Sequence, residues 1–357
     1  MAIEPFDRGV LALGHLVFSW FRPMPITIRE VAEECGVSRQ TVSYALSNSG
    51  RLKPTTRKRV IEAAQRLGYR PNGSAKIMRT GKFNALGLLV STQFGRGFIF
   101  ERVSWAMRTA LREHDLQLVI GDLPDRELVD ESVLPKLLRE WLVDGLVVSY
   151  THHIPQTMLE LVEQYNIPAV WLNAKLHHDC IYPDDYGAGR LAAQSLMDAG
   201  HKRLAYLRYN GRQHYSSIDR QQGFVAAARE AGLTPEINAP AEPPPPGERL
   251  ADCRQWLEGP DRPTAVFCYE RDEAITLYAA AMSLGLRVPE DLSVIAVSDA
   301  PICQIGVRID TVLIPAEGLG RGCVEMSIRK MQDPSSLDCL ALPFDLCAGV
   351  TVAPPVS

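Results

Sequence analysis

The sequence has no apolar run long enough to cross a bilayer. The candidate, VLALGHLVFSWF, covers only residues 10–21, whereas a membrane-spanning helix needs about 20 apolar residues. It is also a poor signal-peptide core, because Glu4 and Asp7 replace the expected basic start and no small-residue cleavage site follows. We expect residues 1–23 to be a poorly ordered extension, or Met24 to be the true start, and we expect a cytoplasmic protein without a membrane partner.

Motifs for catalysis and metal binding are also missing. The sequence contains no G-x-S-x-G elbow, no phosphate-cradling P-loop and no cluster of metal ligands. We therefore expect neither an enzyme nor a bound cofactor or metal. The eight cysteines form no C-x-x-C pair, and several lie inside apolar runs, as Cys268 does in TAVFCY. This pattern is typical of buried free thiols in a reducing compartment.

Charge is distributed unevenly along the 357 residues. The net charge is −4, but residues 24–83 contain 12 basic and 4 acidic side chains, whereas residues 84–357 contain 24 basic and 36 acidic ones. A short basic segment joined to an acidic body favours a polyanionic partner. Charge alone would equally allow a solvated basic face with no partner.

Residues 24–70 carry the signals of three short helices. Thr27 and Glu30 form a capping box before an i, i+3, i+4, i+7 apolar pattern. Gly36 ends that helix, and Ser38 caps a second one after a very short turn. A third helix follows from a proline. Two helices joined so tightly, the second with a polar outer face, form a helix-turn-helix, whose second helix enters the major groove of DNA.

The polar face of the second helix has the chemistry to recognise bases. Arg39 and Gln40 lie in its first turn, and Tyr44 lies one turn later, beside Gln40. Arginine pairs bidentately with guanine and glutamine with adenine. Short hydroxyl side chains on the same helix suit neighbouring phosphates; they belong to Ser38, Thr41 and Ser43. The alternative is a small helical interaction domain with charged, solvated faces.

Residues 71–83 form the predicted hinge. Pro71 stops the third helix, and the few residues that follow are fewer than the ~12–15 that make a stable helix in water. We expect this segment to be disordered when free and helical when docked on DNA. Lys76 and Arg79 would then meet phosphates, and Met78 would act as an apolar wedge in the minor groove. The alternative is a plain linker.

From residue 84 the pattern changes to short apolar strands that alternate with amphipathic helices. ALGLLVS, VDGLVVS and LSVIAVS are examples of the strands. This alternation predicts parallel sheets covered by helices on both faces. The number of units favours two doubly wound lobes. We expect an N-lobe of about 84–182 and 311–334, and a C-lobe of about 183–310 and 335–357.

The N-terminal segment TIREVAEECGVSRQTVSYALSNSGRLKPTTRKRVIEAAQRLGYRPN resembles the headpiece of the LacI (lactose-repressor) family of bacterial transcription regulators. The resemblance implies that Arg39, Gln40 and Tyr44 choose the operator, and that Met78 replaces the usual hinge leucine. It also implies backbone contacts for other headpiece residues. The complete set of expected DNA-contacting residues is Thr27, Ser38, Arg39, Gln40, Thr41, Ser43, Tyr44, Arg51, Thr56, Lys76, Met78 and Arg79.

The remainder is similar to the periplasmic-binding-protein-like core of the same family, through PDDYGAGRLAAQSLMDAGHKRLAYL, RPTAVFC and GLRVPEDLSVIAVSD. Such a core holds a small molecule between its lobes. Arg220 matches an arginine that family members direct at the ligand, and Phe98 matches an aromatic residue at the cleft mouth. Asn173 stands where many members carry an aspartate. The alternatives are a surface ion pair for Arg220, a core position for Phe98 and a turn for Asn173.

The chain departs from the sugar-responsive pattern at two strand ends. Glu270 and Arg271 replace a common Asn-Asp pair, and Ser298-Asp299 replaces a common Asp-Asp. We therefore add Arg271 and Asp299 to the expected effector-binding residues. Losing acids and gaining an arginine favours an anionic or phosphorylated effector, or no effector, over a neutral sugar.

Together these features predict a dimeric repressor that binds a pseudo-palindromic operator and responds to a small molecule between the lobes. Two alternatives stay open within DNA binding: control by a partner protein, or the lack of any effector. A solute-binding protein is a further alternative, which the basic headpiece argues against.

Overall fold

The computed structural model describes residues 26–47, 49–70, 77–78, 80–92, 99–123, 142–150, 153–210, 214–335 and 337–356. The expectations for the N-terminal extension, Lys76, Arg79 and Phe98 concern residues outside this set. The chain divides into two compact units, one ending at Gly81 and one running from Lys82 to the C-terminus. Among the described residues, no helix has both the length and the apolar character needed to cross a membrane.

Among the described residues of the first unit, the helices whose bounds are defined are α1 (Ile28–Cys35), α2 (Arg39–Leu46) and α3 (Pro54–Leu67). The Glu30 carboxylate accepts hydrogen bonds from the backbone N–H and the hydroxyl of Thr27, at 2.7 and 2.9 Å. Gly36 has a φ of 59° and ends α1 in the left-handed conformation. Ser38 Oγ accepts the Thr41 N–H at 3.1 Å and caps α2. These local predictions are confirmed.

The three helices bury one small apolar core. Its fully buried members are Val31, Ala32, Cys35, Val42, Ala45, Val60, Ala63 and Ala64. Because α2 has only eight residues, its helical conformation depends on this packing more than on intrinsic propensity.

The second unit alternates strands with helices. In chain order its elements are β1 (Ala85–Ser91), α4 (Glu101–Glu113), β2 (Gln117–Leu123), β3 (Gly145–Ser149), α5 (Gln156–Gln164), β4 (Ala169–Leu172), β5 (Cys180–Pro183), α6 (Asp185–Asp198), β6 (Leu204–Leu207), α7 (Tyr215–Glu230), β7 (Glu236–Asn238), α8 (Arg249–Leu257), β8 (Ala265–Cys268), α9 (Arg271–Ser283), β9 (Ser293–Ser298), β10 (Asp310–Leu313), α10 (Ala316–Gln332), β11 (Leu340–Leu342) and β12 (Asp345–Cys347).

The strands of the described residues form two six-stranded sheets, one in each lobe. The N-lobe sheet has the order β11-β5-β4-β3-β1-β2, and the C-lobe sheet has the order β12-β10-β9-β8-β6-β7. All neighbouring strands are parallel except β12, which runs antiparallel to β10. The central strands are buried along their whole length, as the continuous apolar runs predict. The α/β class with two parallel-dominated sheets is confirmed.

The strand pairing differs from the predicted lobe boundaries at two places. β10 pairs with β9 in the C-lobe sheet, although residues 311–334 were expected in the N-lobe. β11 pairs with β5 in the N-lobe sheet, although residues 335–357 were expected in the C-lobe. The physical reason is that strands of three or four residues carry almost no pattern of their own, and only their backbone pairing decides which sheet they join.

Candidate functional sites

The outer face of α2 carries the side chains predicted to contact bases. Arg39, Gln40 and Tyr44 are exposed, while Val42 and Ala45 are buried on the opposite face. Gln40 Nε2 donates a hydrogen bond to Tyr44 Oη at 2.8 Å. The two side chains therefore lie together, one helical turn apart, as the spacing predicts.

The end of α2 is held by Arg57 of α3, which the sequence analysis missed. Its Nη1 donates to the carbonyl oxygens of Tyr44 and Ala45, at 2.9 and 3.1 Å. Its Nη2 donates to the carbonyl oxygens of Ser49 and Gly50, at 3.1 and 3.3 Å. The last carbonyls of a helix have no partner within the helix, so this guanidinium satisfies them and fixes the turn that follows. No short-range signal predicts such contacts, because most of the partners are eight or more residues away.

The ring of Tyr44 packs directly on the backbone of Gly50. Gly50 has a φ of +68°, and a Cβ placed on it would lie 2.8 Å from Tyr44 Cγ. A side chain here would therefore be strained by its backbone conformation and would also push the tyrosine ring away. Gly50 and Arg57 together set where Tyr44 stands on the exposed face.

The other predicted DNA-contacting residues differ in exposure. Ser38, Thr27 and Arg51 are exposed, whereas Thr41, Ser43 and Thr56 are half-buried. Met78 is 90% exposed, the largest apolar exposure among the described residues. An exposed methionine of this kind is available to contact an apolar partner.

Three of the predicted effector-binding residues lie at the carboxyl ends of parallel strands. Asn173 follows β4, Arg271 follows β8 and Asp299 follows β9. Ligands of open α/β sheets bind outside these strand ends. Hydrogen bonds cross between the lobes here, among them two that involve predicted residues. Tyr215 Oη donates to Asn173 Oδ1 at 3.0 Å, and Arg102 Nη1 donates to the Asp299 carbonyl at 3.3 Å.

Arg220 is the fourth predicted residue, and it is 6% exposed. Its Nε donates to Asp185 Oδ1 at 2.7 Å and its Nη1 donates to the Tyr269 carbonyl at 2.8 Å. The guanidinium carbon also lies 4.7 Å from the centroid of the Tyr269 ring. Burial opposes the charge, but the Asp185 carboxylate raises the pKa of Arg220 above its usual value. The sequence left open a surface ion pair for Arg220. The structure does pair Arg220 with Asp185, but both side chains are buried.

Two glycines bring the helices that carry this ion pair into close contact. A Cβ on Gly189 of α6 would collide with the Arg220 carbonyl, and a Cβ on Gly223 of α7 would collide with the Tyr186 carbonyl. The two backbones therefore touch. Because the two helices lie so close, Arg220 of α7 can reach Asp185 at the start of α6.

Lys175, two residues after Asn173, forms an ion pair that crosses between the lobes. Its Nζ bonds to Asp219 Oδ2, and it lies 5.7 and 5.5 Å from the ring centroids of Tyr182 and Tyr215. Burial alone would lower the pKa of Lys175, but the hydrogen bond and charge of Asp219 raise it. Neither residue was predicted from the sequence, although Lys175 lies two residues after Asn173 and Asp219 directly precedes Arg220.

Arg271 is separate from this cluster. Its Nε lies 3.6 Å from Asp272 Oδ1 in a pair that is largely solvent-accessible. Among the described residues, no hydrogen bond joins Arg271 to Arg220 or to Asn173.

Several buried polar atoms in the C-lobe have no hydrogen-bond partner within the described part of the chain. They are Asp185 Oδ2, Tyr206 Oη, Arg208 Nε and Glu273 Oε2. Because an unsatisfied buried polar atom is costly, this concentration marks a place where a bound molecule or water would be stabilised. All four residues lie in or beside elements that bound the carboxyl ends of β6 and β8.

Comparison with known protein families supports both units. Residues 27–72 match the family described as bacterial regulatory proteins, lacI family, and residues 193–346 match a periplasmic binding protein-like domain. The HTH-type transcriptional regulator AglR of Rhizobium meliloti is 30% identical over 286 residues, which cover 77% of this chain and 78% of AglR. The HTH-type transcriptional repressor PurR of Photobacterium profundum is 27% identical, over 86% of this chain and 92% of PurR.

Solved structures show the same fold. The lac repressor dimer bound to operator and the anti-inducer ONPF aligns with a TM-score of 0.74 at 21% identity, and the match covers 92% of this chain and 99% of the repressor chain. The transcriptional regulator CelR in complex with cellobiose aligns with a TM-score of 0.60 at 23% identity, over 91% of this chain and 99% of CelR.

Proposed function

Because the chain belongs to the lacI family of bacterial regulatory proteins, we infer that it binds an operator as a dimer and represses transcription in response to a small molecule. Transcriptional regulation through the helix-turn-helix is the common property of its relatives. The observation that carries the assignment is the exposed row of Arg39, Gln40 and Tyr44 on α2, with its end fixed by Arg57. The activity belongs in the cytoplasm, where bacterial DNA lies.

The specific contacts follow from the placement of these side chains. We assign base recognition to Arg39, Gln40 and Tyr44, because they are exposed on the face of α2 that a major groove would receive. The exposed guanidinium of Arg51 suits a phosphate. The exposed Met78 suits the apolar wedge proposed for the minor groove.

Exposed apolar side chains of the core support a dimer. Trp105 on α4 is 60% exposed. Ile120 is 66% exposed and lies on β2, which is the edge strand of its sheet among the described residues. Large apolar side chains on an unpaired sheet edge and its neighbouring helix are typical of surfaces that another protein covers. A two-fold dimer would present its two recognition helices to a pseudo-palindromic site.

The effector is assigned to the space between the lobes, near Arg220, Asn173 and Asp299. The unpartnered buried atoms of the C-lobe support a bound molecule. The ion pairs of Arg220 with Asp185 and of Lys175 with Asp219 each neutralise a cation. They therefore add no support to the preference for an anionic effector that the sequence favours.

The same neutralised cations favour the second candidate, a DNA-binding regulator that is controlled by a partner protein or that has no effector. Isothermal titration of the whole protein with sugar phosphates and with neutral sugars separates these possibilities. Binding of either class supports a small-molecule effector, and tighter binding of the neutral sugars would reverse the preference for anions. The lack of binding by both would favour the second candidate.

DNA binding itself is tested by titrating salt. We expect the logarithm of the affinity to fall steeply with the logarithm of salt concentration, and Arg51→Met to reduce that slope by about one. Arg39→Met should instead cost about 1–3 kcal/mol at one base pair and relax the preference there. Arg229→Met, an exposed arginine of the core, is the matched control and should change neither quantity. A flat salt dependence would contradict the assignment.

A further inference from the structure

Two cysteines of the N-lobe lie side by side at the edge of its sheet. Cys180 is the first residue of β5, and Cys339 immediately precedes β11. The two strands are parallel, with Leu340 opposite Ile181, so Cys339 stands in register with Cys180. Their Sγ atoms are 2.7 Å apart. Both thiols also contact the carbonyl oxygen of Leu176, at 3.6 Å for Cys180 and 3.2 Å for Cys339.

The two thiols differ in their access to solvent. Cys180 is buried, whereas Cys339 is half-buried. Burial, followed by the hydrogen bond with Cys339, raises the pKa of the Cys180 thiol to about 12. An oxidant would therefore reach Cys339 first, and Cys180 would stay protonated beside it.

The other cysteines lack such a neighbour. No other pair of sulfur atoms is in hydrogen-bonding contact within the described residues. Cys253 contacts the Tyr209 hydroxyl instead, at 3.3 Å, and Cys303 is exposed. All eight cysteines are free, but the expectation that they are buried holds for only five of them, since Cys339 and Cys347 are half-buried and Cys303 is exposed. One pair is placed to react.

We propose that Cys180 and Cys339 form an oxidisable dithiol, a modification site at which a peroxide converts the two thiols to a disulfide. In the first step the Cys339 sulfur attacks the peroxide oxygen, which gives a sulfenic acid and one water. In the second step the Cys180 sulfur displaces the hydroxyl of that sulfenic acid, and the proton of Cys180 leaves with it as a second water. The two thiols lose two electrons and hydrogen peroxide accepts them.

The bond would join two segments that already meet at Asp179. Asp179 Oδ2 accepts from Lys330 Nζ at 2.7 Å, and its Oδ1 accepts the Leu337 N–H at 2.8 Å. One segment leads from Asn173 and Lys175 at the cleft, and the other connects α10 to β11. The disulfide would thus attach the cleft loop of the N-lobe covalently to the segment that leads into β11, the neighbouring strand of the same sheet. This modification does not depend on the proposed function.

The test uses the full-length protein treated with hydrogen peroxide or kept reduced. Free thiols are then alkylated, and the digest is analysed by mass spectrometry. We expect peroxide to remove two alkylated positions together and to yield a peptide linking Cys180 to Cys339, which a dithiol reductant reverses. The proposal is overturned if both thiols stay alkylated while Cys303 is oxidised, or if the linked peptides join other cysteines.

Matched variants separate a specific reaction from general oxidation. Cys303→Ser removes the exposed cysteine and should leave the linked peptide unchanged. Cys339→Ser should abolish it and leave Cys180 alkylated. Cys180→Ala should also abolish it, but should leave Cys339 as a sulfenic or higher oxidised acid that the alkylating reagent does not label. Circular dichroism of each reduced variant checks its fold. Because Cys339 is half-buried, Cys339→Ser decides the outcome if Cys180→Ala fails to fold.

Discussion

Glu273 is a buried acid whose charge should destabilise the C-lobe above neutral pH. It is 1% exposed, and its Oε1 accepts the backbone N–H groups of Tyr209 and Asn210, at 3.1 and 3.0 Å. Its Oε2 has no partner within the described residues. Burial, together with the nearby charge of Glu270, raises the pKa of Glu273 from 4.5 to about 7.

The sign of the effect follows from proton binding. Between pH 4.5 and about 7 the folded protein holds a proton on Glu273 that the unfolded chain has released. Stability therefore falls as pH rises through this interval and levels off above it. At about 1.4 kcal/mol per pH unit, the full difference amounts to about 3 kcal/mol.

Glu273→Gln removes the ionisation and keeps the shape. The amide oxygen can accept the same two N–H groups, and the amide nitrogen replaces the unpartnered oxygen. We expect the variant to gain about 3 kcal/mol over the original protein at pH 8, and about 1 kcal/mol or less at pH 5. Glu258→Gln, at an exposed position, is the matched control and should show no such dependence.

The assay is urea denaturation followed by circular dichroism and tryptophan fluorescence, at pH 5, 6, 7 and 8. The assigned role of the Glu273 charge is wrong if Glu273→Gln is no more stable than the original protein at pH 8. It is equally refuted if the difference between the two proteins stays constant over the whole range.

Two further perturbations test the packing at the predicted sites. Gly50→Ala should weaken operator binding about tenfold, because the new Cβ would displace the ring of Tyr44 and one base contact contributes about 1–3 kcal/mol. Gly36→Ala, which has the same left-handed conformation but open space around it, should cost only about 1 kcal/mol of stability and leave affinity unchanged; equal affinities for both variants in fluorescence anisotropy would contradict this. Arg220→Met should destabilise the core by about 3–5 kcal/mol, because it leaves Asp185 buried without a partner. Adding Asp185→Asn should recover part of that loss in thermal unfolding, and an unchanged stability of the single variant would be inconsistent with a buried ion pair.

The headpiece could be predicted almost completely from the sequence, because its signals are local. Gly36, Ser38 and the polar face of α2 act within one or two turns of the chain. Arg57 escaped prediction because its carbonyl partners are brought to it by the packing of α3 against α2. The exposed residues of α2 could be identified from the sequence, but the hydrogen bonds of Arg57 that fix the end of this helix could not.

The same distinction applies to the core. The buried apolar strands predicted the α/β class correctly. β10 and β11 were assigned to the wrong lobes, because the sheet that such a short strand joins is decided by its backbone pairing with a neighbouring strand. Asn173 and Arg220 could be identified from the sequence, but Lys175 and Asp219 could not, because their ion pair joins residues 44 positions apart. An ion pair between two lobes forms only when the chain has folded, so no periodic pattern in the sequence predicts it.

The most direct measurement is selection of bound sequences from a pool of random DNA duplexes, using the full-length protein with and without a metabolite extract. Recognition by α2 predicts enrichment of two inverted half-sites with one dominant base pair that loses its preference in Arg39→Met. A pool that stays random at moderate ionic strength under both conditions would contradict the assignment of this chain as an operator-binding regulator.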